Sequence, residues 1–145
     1  MRRLLATTAL AGVGVLFAPS ALAQPVTFSD PLSSPLVQPV GSFNRLETDA
    51  PTTLTIEVPE FVSATVMVDT PTFEGGPNLD PGGTERTATV TFPGGTATSA
   101  GGPVPLPTGT TELSVSMVVE RPAGSIFAPG TYSYQVMITV TTTPP

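Results

Sequence analysis

The chain has 145 residues, five cationic and eleven acidic side chains, a net charge of −6, and neither histidine, cysteine nor tryptophan. All five cations are arginines, so lysine chemistry is missing along with thiol and imidazole chemistry. That excludes Ser-His-Asp and Cys-His nucleophiles, Schiff-base catalysis, zinc sites of the usual ligand set, and a disulfide framework.

The first 23 residues divide into a basic start, Met1-Arg2-Arg3, an apolar stretch from Leu4 to Phe17, and a small-residue exit, Ala21-Leu22-Ala23. This order predicts a secretory signal peptide over 1–23, cleaved before Gln24. The apolar stretch is too short and too rich in Gly and Ala for a spanning helix, which needs about 20 apolar residues. A secreted, periplasmic or cell-surface location follows as the expectation, with no stable membrane insertion after cleavage. The remaining chain would keep Arg45, Arg86 and Arg121 against all eleven acids, a net charge of −8. Such a balance argues against nucleic acid and against anionic lipid, both of which attract clustered Lys and Arg.

After the leader, residues 24–50 read as a Pro-rich arm or edge strand, with prolines at 25, 31, 35 and 39 and weak strand signals at Val26 to Phe28 and Leu36 to Phe43. Proline cannot donate to a β-ladder, which confines it to edges. Residues 51–145 read as the core, and 24–145 together as one domain. Leu54, Ile56 and Val58 alternate with Thr53, Thr55 and Glu57, and Val62, Ala64, Val66 and Val68 alternate with Ser63, Thr65 and Met67. Next come Ala88, Val90 and Phe92, a weak run at Thr96 to Ser99, then Leu113, Val115, Met117 and Val119. The strongest run closes the chain: Tyr132, Tyr134, Val136, Ile138 and Val140 against Ser133, Gln135, Met137, Thr139 and Thr141. Period two places one set inside and the other toward water.

Between these runs lie Gly and Pro clusters such as Glu74-Gly75-Gly76-Pro77, Asp80-Pro81-Gly82-Gly83 and Ala128-Pro129-Gly130. Strands of this density, separated by turn signals, predict an all-β fold, an antiparallel immunoglobulin-like sandwich of about seven to eight short strands.

No catalytic, cofactor-binding or metal-binding residue is assigned, and no cofactor is expected. Acids such as Glu57, Glu60, Glu112 and Glu120 flank strands and read as surface charges. Glu74, Asn78 and Asp80 among glycines are a weak calcium pattern, and turn chemistry already explains Asp-Pro-Gly-Gly. Tyr132 and Tyr134 share one strand face and read as core.

The segment from Ala128 to Thr141, with Gly130-Thr131-Tyr132 entering an alternating strand, resembles the closing strand of bacterial secreted pilin-like and spore-coat-protein-U-like domains. The resemblance implies a leader, a sandwich and a role as a subunit of surface fibres or coats. Only Gly130 as a turn and Tyr132 as a core residue carry over; the chain lacks the cysteines usual in those families. The expected function is a non-enzymatic structural or adhesive module of the cell surface or periplasm, the alternative a secreted ligand-binding module, for example for carbohydrate. Self-association or contact with other surface proteins is the partner class, with the Pro-rich arm as the expected strand donor.

Overall fold

The computed structural model describes residues 12–18, 27–28 and 35–143; the rest of the leader and of the Pro-rich arm lies outside the described residues. The strands, in chain order, are β1 (Gly12–Ala18), β2 (Thr27–Phe28), β3 (Leu36–Val37), β4 (Arg45–Thr48), β5 (Thr52–Val58) and β6 (Ser63–Val68). They continue with β7 (Thr72–Gly75), β8 (Glu85–Phe92), β9 (Gly95–Thr98), β10 (Val104–Leu106), β11 (Gly109–Glu120) and β12 (Ser133–Thr143). The chain is an all-β sandwich of two sheets, as the alternation predicts.

One sheet is built on β12. β6 pairs antiparallel with its C-terminal half, from Ile138 to Thr143, and β7 continues along the same edge over Ser133 to Gln135. β10 lies beyond β6, and β1 lies on the opposite edge of β12, in the one parallel pairing among the described strands. The other sheet is built on β11, whose residues 109–115 pair with β5 and whose residues 118–120 pair with β4. The far edge of β11 pairs with β8, which carries β9 outward.

The period-two sets face each other across the interior. Ile56 and Val58 of β5, Val66 of β6, Val90 of β8, Leu113 and Val119 of β11, and Val136 and Val140 of β12 are all fully buried. Their partners in the alternation, such as Thr53, Glu57, Thr91 and Thr141, are exposed. Each buried Val, Leu or Ile contributes on the order of 1.5–3 kcal/mol relative to exposure, which is why alternation fixes register.

The five strong runs of the sequence become β5, β6, β8, β11 and β12, within one to three residues at each end. β4, β7 and β10 carry no alternation long enough to read. They are short segments, and each is held by a longer neighbour, β11, β12 or β6. In the arm, Thr27–Phe28 pairs with β5 and Leu36–Val37 with β4, so both pieces are committed within their own sheet.

Candidate functional site

The polar chemistry of the molecule is gathered at one end of the sandwich. The end of β11, the start of β12 and the loop between β7 and β8 meet there. Arg121 follows directly on β11, at the parity of Leu113, Val115, Met117 and Val119, and that parity turns it inward. Its side chain is 1 % exposed. A cation so placed must be paired and hydrogen-bonded, because an isolated buried charge is prohibitive.

The loop after β7 supplies the partners. Arg121 Nη2 lies 3.1 Å from Asp80 Oδ1 and donates to the Asn78 carbonyl at 3.2 Å. Nη1 donates to Asn78 Oδ1 and to the Ile126 carbonyl, both at 2.9 Å. The guanidinium also stacks 4.0 Å from the Phe127 ring centroid, and Phe127 meets Tyr132 edge to face at 5.0 Å. A weakly hydrated planar cation over a ring is a favourable way to hold charge in a dry site.

Both tyrosines enter the same network. Tyr134 donates its hydroxyl to Asp80 Oδ1 at 2.7 Å, and Tyr132 bonds to Asn78 Oδ1 and to the Ala128 carbonyl. Burial, and then the hydrogen bond to the Asp80 carboxylate, push the Tyr134 phenol well above its ordinary value. The second oxygen of Asp80 forms an ion pair with Arg86 Nε at 3.1 Å. Arg86 in turn donates to the Pro71 carbonyl, which ties β8 to the segment before β7.

Close backbone approach completes the end. Gly130 has φ +143°, and a Cβ there would run into the Pro77 ring; a Cβ on Gly76 would run into Tyr132. Glycine is therefore required at both positions by contact, and at Gly130 by backbone conformation as well.

Gly130 lies in the loop before β12, and Tyr132 and Tyr134 are buried, 5 % and 1 % exposed, with their hydroxyls hydrogen-bonded inside. Neither ring offers a face to a sugar. Of the weak calcium pattern, Asp80 is buried at its side chain, Asn78 is exposed overall but accepts from Arg121 and Tyr132 through its Oδ1, and Glu74 stays at the surface, where it accepts from the Thr72 hydroxyl at 3.1 Å. Two guanidinium groups face the Asp80 carboxylate, so it presents no ligand to a cation. Arg121 escaped the sequence reading, although the signal was present: an arginine at the apolar parity of a strand, with a turn acid available elsewhere.

Beside this locked cluster the surface is apolar. Leu36, Phe43, Leu46, Ile126, Phe127 and Pro129 line an open cleft of about 420 Å³. Phe43 is 67 % exposed and Ile126 60 %, and Val40 at the tip of the β3–β4 turn is fully exposed. The Phe127 amide donates to the Phe43 carbonyl at 2.9 Å, so the two loops that form the cleft are tied to each other. Comparison with known proteins gives no match to this chain among family models, curated proteins or solved structures.

Proposed function

We propose that the chain is an exported, non-enzymatic β module of the bacterial cell surface or periplasm that works by surface contact. The observation that carries this reading is the apolar cleft of Phe43, Ile126 and Pro129, whose two loops are tied by the Phe127–Phe43 backbone hydrogen bond. Exposed apolar groups clustered on an acidic surface are characteristic of a contact site. Arg121, which stacks on Phe127 of the cleft, is itself paired with Asp80 and hydrogen-bonded to the loop backbone.

The experiment is retention on cells. Wild type and a Phe43→Ser/Ile126→Ser variant are expressed in a host that exports them, and the fraction held at the cell surface through a low-salt wash is measured. Wild type should be retained and the variant released, with unchanged far-ultraviolet circular dichroism. Equal retention of the two, or release of both as monomers, would overturn the reading.

A further inference from the structure

β5 ends at Val58 and β6 begins at Ser63, and the turn between them closes with a hydrogen bond from the Val62 amide to the Pro59 carbonyl at 3.3 Å. Phe61 takes the third position of that turn with φ 67°, the only positive φ outside glycine among the described residues. A turn of this kind favours Gly or Asn there, because a bulky side chain in the left-handed region crowds its own backbone. Phe61 is also 82 % exposed. The backbone is strained and the ring stands in water, and burial within the chain offsets neither cost. Strained positions of this kind concentrate at functional sites.

The cleft of Phe43, Ile126 and Pro129 lies at the other end of the sandwich. Val58, at the base of the turn, pairs with Gly109 at the start of β11, whereas Arg45, two residues after Phe43, pairs with Glu120 at its end. The twelve residues of β11 separate the two features, roughly 36 Å at about 3.3 Å per residue. Phe61 therefore cannot enter the cleft of its own chain. It can enter that of another copy.

The cleft suits such a ring. Its volume is about 420 Å³, with Phe43 and Ile126 exposed at the mouth and Leu46 and Tyr132 buried deeper in. Phe43 and Phe127 offer rings for aromatic contact. None of the lining residues is charged, so Glu60, beside Phe61, meets no acid among them. A twofold contact between two such turns would instead set Glu60 against Glu60, on a chain already at −6.

We propose that Phe61 of one copy seats in the apolar cleft of the next, so that the chain associates with itself head to tail. The proposal rests on the cleft being a contact site, as read above, and names its occupant. Unlike surfaces meet, and because they lie at opposite ends of the sandwich the contact repeats along a line instead of closing on a pair. No strand is exchanged and no sheet edge takes part. A single ring buries about 150–250 Å², far below the roughly 1,200–2,000 Å² of a stable interface, so the contact is weak and depends on concentration.

Sedimentation velocity of the full chain over a concentration series tests this. The weight-average mass of wild type should rise with concentration. Phe61→Asn, which suits the turn, and Phe43→Ser/Ile126→Ser should each weaken association at least about tenfold, as expected for loss of an aromatic anchor or of its pocket. Phe61→Asn should melt no lower than wild type, which separates a lost contact from a lost fold. An equimolar mixture of the two variants is decisive. One keeps the cleft and the other keeps Phe61, so together they should form a heterodimer and nothing larger. A monomeric wild type, association unchanged by Phe61→Asn, or a mixture no more associated than its separate components overturns the proposal. Retention on cells distinguishes this failure from that of the cleft itself. Release of Phe43→Ser/Ile126→Ser together with retention of Phe61→Asn and a monomeric wild type would refute Phe61 as the occupant while leaving the cleft a contact site.

Discussion

Arg121 and Asp80 form an ion pair at 3.1 Å in which the two side chains are only 1 % and 4 % exposed. The pair joins the end of β11 to the loop between β7 and β8, two segments that no strand pairing connects. Removing one member leaves the other charged and sealed from water. Asp80→Asn should therefore cost about 3–5 kcal/mol, the range for a buried pair broken on one side. Arg121→Met combined with Asp80→Leu should cost clearly less than the two single losses added together. Urea melts of wild type, Asp80→Asn, the single variants Arg121→Met and Asp80→Leu, and their combination measure both quantities, and strict additivity would show that the pair is not coupled.

The Tyr134 hydroxyl predicts how stability responds to alkali. Its phenol is held above the ordinary value near 10, first by burial and then by the hydrogen bond to Asp80. The unfolded chain ionises the phenol near its ordinary pKa while the folded chain keeps it protonated. The contribution of Tyr134 to stability is thus fully present below about pH 10 and is lost as pH rises beyond it. Thermal melts between pH 8 and pH 11 should show a loss at the alkaline end that Tyr134→Phe reduces. A Phe variant with the same alkaline slope as wild type would assign that loss to another group.

The two faces of β12 differ enough to be separated by charge. Val136 and Ile138 are buried to within 1 % exposure, whereas Gln135 and Thr139 on the other parity are partly exposed. Val136→Asp and Ile138→Asp bury an unpaired carboxylate and should cost several kcal/mol, a large share of a total of about 5–15. Gln135→Asp and Thr139→Asp should change stability by no more than about 1 kcal/mol. Urea midpoints of the four variants check the contrast, and equal losses in both sets would mean that β12 is covered on both faces.

How far the sequence could be read follows from which forces have a local signature. β5, β8, β11 and β12 were legible because period-two alternation records which face is dry, residue by residue. Arg45–Thr48 and Val104–Leu106 were not, because three or four residues cannot show a period and their backbone bonds are supplied by distant partners, Val118 to Glu120 and Ala64 to Val66. The polar cluster was half legible. Tyr132 and Tyr134 declared themselves by parity, but Asp80-Pro81-Gly82-Gly83 is a complete turn in its own right, and a turn acid ordinarily faces water. The partners that give Asp80 its buried role include Arg121, 41 positions later, and Tyr134, 54 positions later, and those distances cannot be seen in the local sequence.

The pairing of β12 with β6 and β7 also has a consequence for the order of synthesis. Ala64 waits for Thr142 and Val66 for Val140, so the first half of this sheet has no hydrogen-bonded neighbour of comparable length until nearly the whole chain has been made. Contacts of such sequence separation are slow to form, because loop closure costs entropy before any pairing is gained. A nascent chain that ends before β12 lacks a wall of the interior as well as one strand. Val66 and Val68 would then face solvent, and the network around Asp80 would lack Tyr134. While it is being translated the domain thus lacks the strand on which one of its two sheets is assembled, and the last residues made complete its interior.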